Sequence, residues 1–323
     1  MIIKRVMLLI TMTLIAINTK TYQFDKITIL TSPVGSKKNC WHHKAVTKSI
    51  TKGLKNLNIN YNYNPSSEED LGDVVIVLAN IPALKQAITF KKAGKIKKLL
   101  AGPNLVVRAN EHNRILASKE IDVCIVPSDW VQIAYEKDAP TLKGRIRTWP
   151  AGIDKGFWNP VYQVKEKNNK KVLIYVKKKP GESLCNQIKH ILKKHAWHPI
   201  IIKYGSYNLE QYRQFLSECR FAVFLSRSES QGLALVEAWA MDVPTIVWNQ
   251  GYLKAHGTFY KPCSACPYLN SLLGKDWKTL DEFESILCNI EKELPLFSPK
   301  AWVSKNMTYE ASAKLMLEII DSL

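Results

Sequence analysis

Two glutamates, Glu229 and Glu237, enclose the stretch Ser-Gln-Gly-Leu-Ala-Leu-Val, and this segment concentrates more chemistry than any other part of the chain. The run before it, 221–226, is apolar and short enough for a buried strand. The run after it, 233–241, favours a helix, and Gly232 sits at the junction. A helix that starts beside a glycine presents free backbone N–H groups and the positive end of its dipole, which suits a phosphate. A carboxylate one to two turns along such a helix can accept hydrogen bonds from sugar hydroxyls. In continuous helix, eight residues turn about 800°, roughly 80° past two turns, so the two carboxylates would not share a face. The spacing works when Glu229 belongs to the loop and Glu237 to the helix. The expected pocket then holds two ends of one ligand, a nucleoside diphosphate bearing a sugar, rather than an acid and a base flanking one bond.

Other constellations are weaker. Cys263 and Cys266 have the spacing of half a zinc site or a redox pair, but neither a second such pair nor a matching histidine pair accompanies them. A loop that happens to hold two cysteines is the plainer reading. His42 and His43 would lie about 100° apart on a helix, which makes them poor partners for one metal. The sequence has no Gly-x-Ser-x-Gly elbow and no Gly-Lys-Ser/Thr phosphate loop. The lysine runs at 91–98 and 177–179 lack aromatic interleaving and match no nucleic-acid module, so no specific nucleic acid is expected. A solvated basic face is the default for 91–98, with contact to an anionic membrane second.

The elements that must position these residues alternate along the chain. In the first half, strands are expected at 26–31 (running into Ser32-Pro-Val-Gly35), 74–79, 105–108 and 123–126, with helices over 41–57 and 83–100. Ser128 is placed to cap a further helix. A proline-, glycine- and lysine-rich stretch from Trp149 to Lys171 reads as a linker. A second series follows, with strands at 172–176, 199–203, 221–226 and 245–248 and helices at 185–194, 209–218 and 233–241. This rhythm argues for an α/β protein with two Rossmann-like domains facing a cleft, where ligands bind at the carboxyl ends of the strands.

The stretch from Ser226 to Thr245, with Glu229, Gly232, Glu237 and Pro244 in place, resembles the signature of retaining GT-B glycosyltransferases. Gly152-Ile-Asp154 resembles that family's interdomain segment, and the closing helix from Thr308 resembles its terminal helix, which crosses back to the first domain. The resemblance implies GT-B architecture divided as 1–20 (signal-like or anchor), 21–158 (acceptor domain), 159–300 (nucleotide-sugar domain) and 301–323 (terminal helix). It implies that Glu229 faces the donor sugar, Glu237 the ribose, and the N–H groups near Gly232 and Leu233 the diphosphate. Where the family carries Arg and Lys, this chain has Tyr175-Val-Lys177-Lys178-Lys179, which assigns Lys177 and Lys179 to the diphosphate. Tyr204-Gly205-Ser206 takes the place of the base-contacting loop, and Gly35 that of the flexible glycine loop. On the acceptor side the resemblance points to Glu111 and His112, and Ser264 to Tyr268 can form another wall. The catalytic set is then Glu229, Lys177 and His112, with no metal or other cofactor expected.

The chain has 323 residues, 46% of them hydrophobic, enough for two cored domains and too mixed for a disordered or fibrous protein. Its formal charge of +18 attracts anions in general without separating nucleotide, nucleic acid and lipid. Seven scattered cysteines do not read as a disulfide framework and fit a reducing compartment. Lys4 and Arg5 before an apolar run resemble a signal peptide or a short anchor. A cytoplasmic body, anchored through 1–20, reconciles these features, and cleavage with secretion stays open. The expected function is sugar transfer from a nucleotide-diphosphate donor to a glycan, lipid or protein acceptor. A non-catalytic basic binder on the same scaffold, and an epimerase or phosphorylase, are the alternatives.

Overall fold

The computed structural model describes residues 26–32, 41–160, 170–177, 181–255 and 257–323. The expected signal-like or anchor segment 1–20, Gly35 and Lys179 lie outside the described residues.

Two parallel sheets organise the chain. The first contains β1 (Ile27–Leu30), β2 (Tyr61–Tyr63), β3 (Val74–Val77), β4 (Lys98–Ala101), β5 (Val123–Val126) and β6 (Ile146–Thr148), ordered β2-β1-β3-β4-β5-β6. Its connections carry α1 (Trp41–Asn56), α2 (Ile81–Lys92), the single turn α3 (Glu111–Arg114) and α4 (Asp129–Asp138). The second sheet contains β7 (Lys171–Val176), β8 (His198–Lys203), β9 (Phe221–Leu225), β10 (Thr245–Trp248) and β13 (Gly274–Trp277), ordered β13-β10-β9-β7-β8. Around it lie α5 (Gly181–Lys194), α6 (Leu209–Glu218), α7 (Leu233–Ala240) and α8 (Leu280–Glu293). An antiparallel hairpin, β11 (Leu253–Ala255) and β12 (Thr258–Tyr260), stands apart from both sheets. The chain closes with α9 (Pro299–Asn306) and α10 (Tyr309–Asp321).

The central strands Val-Val-Ile-Val, Val-Cys-Ile-Val and Phe-Ala-Val-Phe-Leu are buried at every residue, because helices cover both faces of each sheet. Ile50 and Leu54 of α1 and Met316 and Ile320 of α10 pack on one face of the first sheet, and Leu84 of α2 and Val131 of α4 on the other. On the second sheet, Tyr212 of α6 and Trp239 of α7 oppose Ile188 of α5 and Phe283 of α8 across the strands.

Two expectations need correction. The helix over 83–100 stops at Lys92, Gly94 turns the chain at φ 73°, and 98–101 becomes β4, paired in register with β3 from Val74↔Lys98 to Val77↔Ala101. A residue in the left-handed conformation ends a helix, and glycine adopts it without strain. That releases Leu99-Leu100-Ala101 to fill the sheet, and 105–108 is loop rather than strand.

In both sheets the order reverses around the first strand: β1 lies between β2 and β3, and β7 between β8 and β9. A crevice opens beyond the strand ends at such a point. The terminal helix α10 leaves the second sheet and packs along α1, where a Cβ on Gly53 would stand 2.2 Å from the Tyr309 carbonyl oxygen. Trp149 Nε1 donates to the Ser312 carbonyl at 2.8 Å, and Ser312 Oγ donates to the Pro150 carbonyl at 2.8 Å, fastening this crossing. Among the described residues no helix is long and apolar enough to cross a membrane.

Candidate functional site

The switch point of the second sheet carries the charged groups. The backbone N–H of Lys177 donates to the Leu225 carbonyl at 3.0 Å, extending the β7–β9 ladder by one step and fixing Lys177 at the sheet's edge. Its ammonium reaches Glu229 Oε2 at 2.7 Å and lies 5.1 Å from the centre of the Tyr204 ring. Ser226 Oγ donates to Glu229 Oε1 at 2.9 Å, and Glu229 N donates to the Ser264 carbonyl at 2.8 Å. The Glu229 side chain is 11% exposed and that of Lys177 23%, so the pair is sheltered but still reachable from the crevice.

Gly232 precedes α7 with φ 62° and ψ 35° and makes no side-chain cap. The first turn of α7 therefore keeps N–H groups for an anion. Tyr212 OH donates to the Ala234 carbonyl at 2.8 Å and steadies that turn from below. Tyr207 OH donates to Tyr175 OH at 3.0 Å in the same nest of rings. One helical turn past Leu233, Glu237 is buried, and among the described residues nothing hydrogen-bonds or ion-pairs with its carboxyl group. Burial pushes its pKa up to about 8. It borders a cavity of about 320 Å³ together with Leu233, Lys44, Lys48, Asp154 and Tyr309.

A second cavity, of about 530 Å³, runs from Lys177 toward the first sheet, between Trp130 of α4 and the β11–β12 hairpin. Three hydrogen bonds tie the two halves of the chain together at its edge. Trp130 Nε1 donates to the Glu229 carbonyl and Ser128 Oγ to the Ser230 carbonyl, both at 2.8 Å. Tyr268 OH donates to the Pro127 carbonyl at 2.6 Å while accepting from Gln231 Nε2 at 3.1 Å. Ser128 precedes α4 as expected, but its hydroxyl bridges to the other half instead of capping the helix.

The structure thus gathers Lys177, Tyr204, Glu229 and Gly232 around one ion pair, whereas Leu233 and Glu237 border the separate cavity of about 320 Å³. Gly205, at φ 85°, turns the chain beside Tyr204. His112 is apart from them: it is exposed, sits in a left-handed turn with Asn113 and Arg114, and lines neither cavity. Its neighbour Glu111 does border the larger cavity, with its carboxylate accepting from Val107 N at 3.2 Å and Arg108 N at 3.3 Å. Cys263 and Cys266 are buried, and burial raises their thiols to about 11 and about 12. The loop between them serves the site through Ser264, which holds Glu229. Sequence reasoning missed Trp130, the second role of Ser128 and the hairpin. A tryptophan in the first turn of a helix that follows a parallel strand was the available signal for Trp130.

Two doubly wound parallel sheets, a crevice between them and a terminal helix returning to the first define the GT-B fold of glycosyltransferases. The solved structures that the chain resembles agree. It superposes on the lipopolysaccharide outer core galactosyltransferase WaaB with a TM-score of 0.59 at 13% identity, over 92% of this chain and 100% of that one. It superposes on Anabaena HepE, determined with UDP and glucose, with a TM-score of 0.55 at 13% identity, again over 92% and 100%. No protein-family model matches the sequence, and no curated protein matches it.

Proposed function

We propose that the chain is a retaining glycosyltransferase that moves a sugar from a nucleoside-diphosphate donor to an acceptor hydroxyl. One observation supports this above all. A cation paired with one sheltered carboxylate stands beside an uncapped helix end at the topological switch point, and a second buried carboxylate lies one turn along that helix. HepE, of the same fold, was determined with UDP and glucose, which supports the same reading.

Lys177 and the first N–H groups of α7 hold the diphosphate. Glu237 accepts from the ribose hydroxyls, and Glu229, oriented by Lys177 and Ser226, faces the donor sugar. As the bond from the anomeric carbon to the diphosphate oxygen breaks, negative charge gathers on the leaving group, and preplaced donors stabilise it. The acceptor oxygen bonds to the anomeric carbon from the same face, and its proton passes to the leaving phosphate oxygen. Lys179 and Gly35 belong to this proposal by sequence, as the second cation and the loop beside the phosphates.

The test is a thermal-shift comparison of UDP, GDP, ADP and CDP with heparin. A donor site responds to one base more than the others, and Glu237→Ala removes the response. Equal stabilisation by all four and by heparin, erased by salt, would instead identify a generic polyanion binder.

A further inference from the structure

The larger cavity has a chemical character of its own. The first half of the chain contributes Leu105, Val106 and Trp130 to its wall, and the hairpin contributes Leu253, Ala255 and Tyr260. The hairpin reaches across to α4: Tyr260 packs with Ala134 and Cys263, and Lys137 Nζ donates to the Phe259 carbonyl at 3.0 Å. The Trp130 ring is held in place by its bond to the Glu229 carbonyl, so it forms a fixed apolar plate beside the donor carboxylate. Among the described residues the charged side chains at the cavity wall are already engaged. Lys177 pairs with Glu229 and Asp138 with Arg108, while Glu111 accepts from two backbone N–H groups. His43 also lines the cavity.

Among the described residues no lysine or arginine beyond Lys177 lines this cavity, so an anionic acceptor would lose its hydration there without gaining a cation of its own, which is costly. An apolar group would gain contact with aromatic and aliphatic walls on two sides. We infer that this cavity is the acceptor subsite, built jointly by α4 and the β11–β12 hairpin, and that it takes an uncharged acceptor carrying an alkyl or aromatic group next to the sugar that is glycosylated. This inference rests on the proposed transferase reading, and it adds the class of acceptor and the element that selects it.

The experiment is saturation-transfer NMR and calorimetric titration of the full chain with UDP present. The probes are phenyl and octyl β-glycosides of glucose, galactose and N-acetylglucosamine, the free sugars, and their 6-phosphates. At least one phenyl or octyl glycoside is expected to bind tenfold or more tightly than its free sugar and its 6-phosphate. An aromatic preference separates from an alkyl one by which of the two leads. Ala255→Trp, which fills the cavity from the hairpin, should abolish that binding while the thermal shift by UDP is kept. Tyr260→Leu, which keeps the packing on Ala134, should weaken phenyl glycosides. If the 6-phosphates bind as well as the glycosides, or if no glycoside binds, or if Ala255→Trp leaves binding unchanged, the inference is wrong. The nucleotide shift in the same samples is a separate readout: its absence with glycoside binding intact would sink the transferase reading instead.

Discussion

At the scale of single residues, the two glutamates differ in how their charge is handled. Glu229 is matched by Lys177 at 2.7 Å and Ser226 at 2.9 Å, whereas Glu237 meets only burial. The consequence for Glu237 has a definite sign. Its folded pKa of about 8 lies above the ordinary 4.5, so the folded chain binds the proton more tightly between those values. Its contribution to stability is therefore full below about pH 4.5 and declines as pH rises through 8. Each unit of separation is worth about 1.4 kcal/mol. Glu237→Gln should match the parent's melting temperature at pH 5 and exceed it by roughly 5 °C at pH 8.5. Equal melting temperatures at both pH values would place the carboxyl group in water. In the proposed reaction Lys177 has a different task, to stabilise the charge on the leaving group. Lys177→Ala should lower turnover by roughly a hundredfold or more, with Lys177→Arg recovering part of it, since donors aimed at developing charge are worth about that much. A rate within threefold of the parent, measured as nucleoside-diphosphate release, would remove Lys177 from the catalytic set.

At the scale of elements, the turn from β5 into α4 does more than begin a helix. Pro127, Ser128 and Trp130 all bond to 229–231 or to Tyr268, so the first half of the chain grips the loop that carries Glu229. A hydrogen bond of this kind adds about 1 kcal/mol to stability, but its direction also fixes where the loop sits. Trp130→Phe keeps an apolar plate and removes the donor to the Glu229 carbonyl. It should lower kcat roughly tenfold with nucleotide affinity unchanged within twofold, and Ser128→Ala on top should multiply the loss. If kcat stays constant while nucleotide affinity falls, the turn belongs to binding and not to positioning. The same turn shows where sequence reasoning stops. Ser128 is a strong helix start by type, and only the second sheet's loop, a hundred residues away, explains why its hydroxyl turns elsewhere.

At the scale of the molecule, periodicity carried the architecture. The run at 74–79 reads as a strand buried on both faces, 123–126 as a short strand and 221–226 as a buried one; they form strands at 74–77, 123–126 and 221–225, each buried at every residue. The places of Glu229 in a loop, Gly232 before the helix and Glu237 within it were legible because the local pattern of strand, short loop and helix sets them. The hairpin was not legible, since its three-residue strands are too short for a pattern and gain meaning only from α4 opposite. The charge excess is also reshaped by folding: Lys91, Lys95 and Lys97 of the basic run pair with Asp122, Glu68 and Asp73, so this face is less cationic than its sequence. The joining of the two halves depends on α10 lying against α1, and Gly53 tests it through a conflict of signs. In an exposed helix interior, Gly→Ala stabilises by about 1 kcal/mol. At Gly53 the added Cβ would come within 2.2 Å of the Tyr309 carbonyl oxygen and 2.6 Å of Ala313 Cβ, so the helices must part. Overpacking of that kind costs about 1–3 kcal/mol. The expected net result of Gly53→Ala is a lower urea midpoint, with the exposed neighbour Lys52→Ala on the same helix almost neutral. A midpoint that rises would mean propensity alone acts at position 53, and that α10 does not approach α1 as closely as this crossing requires.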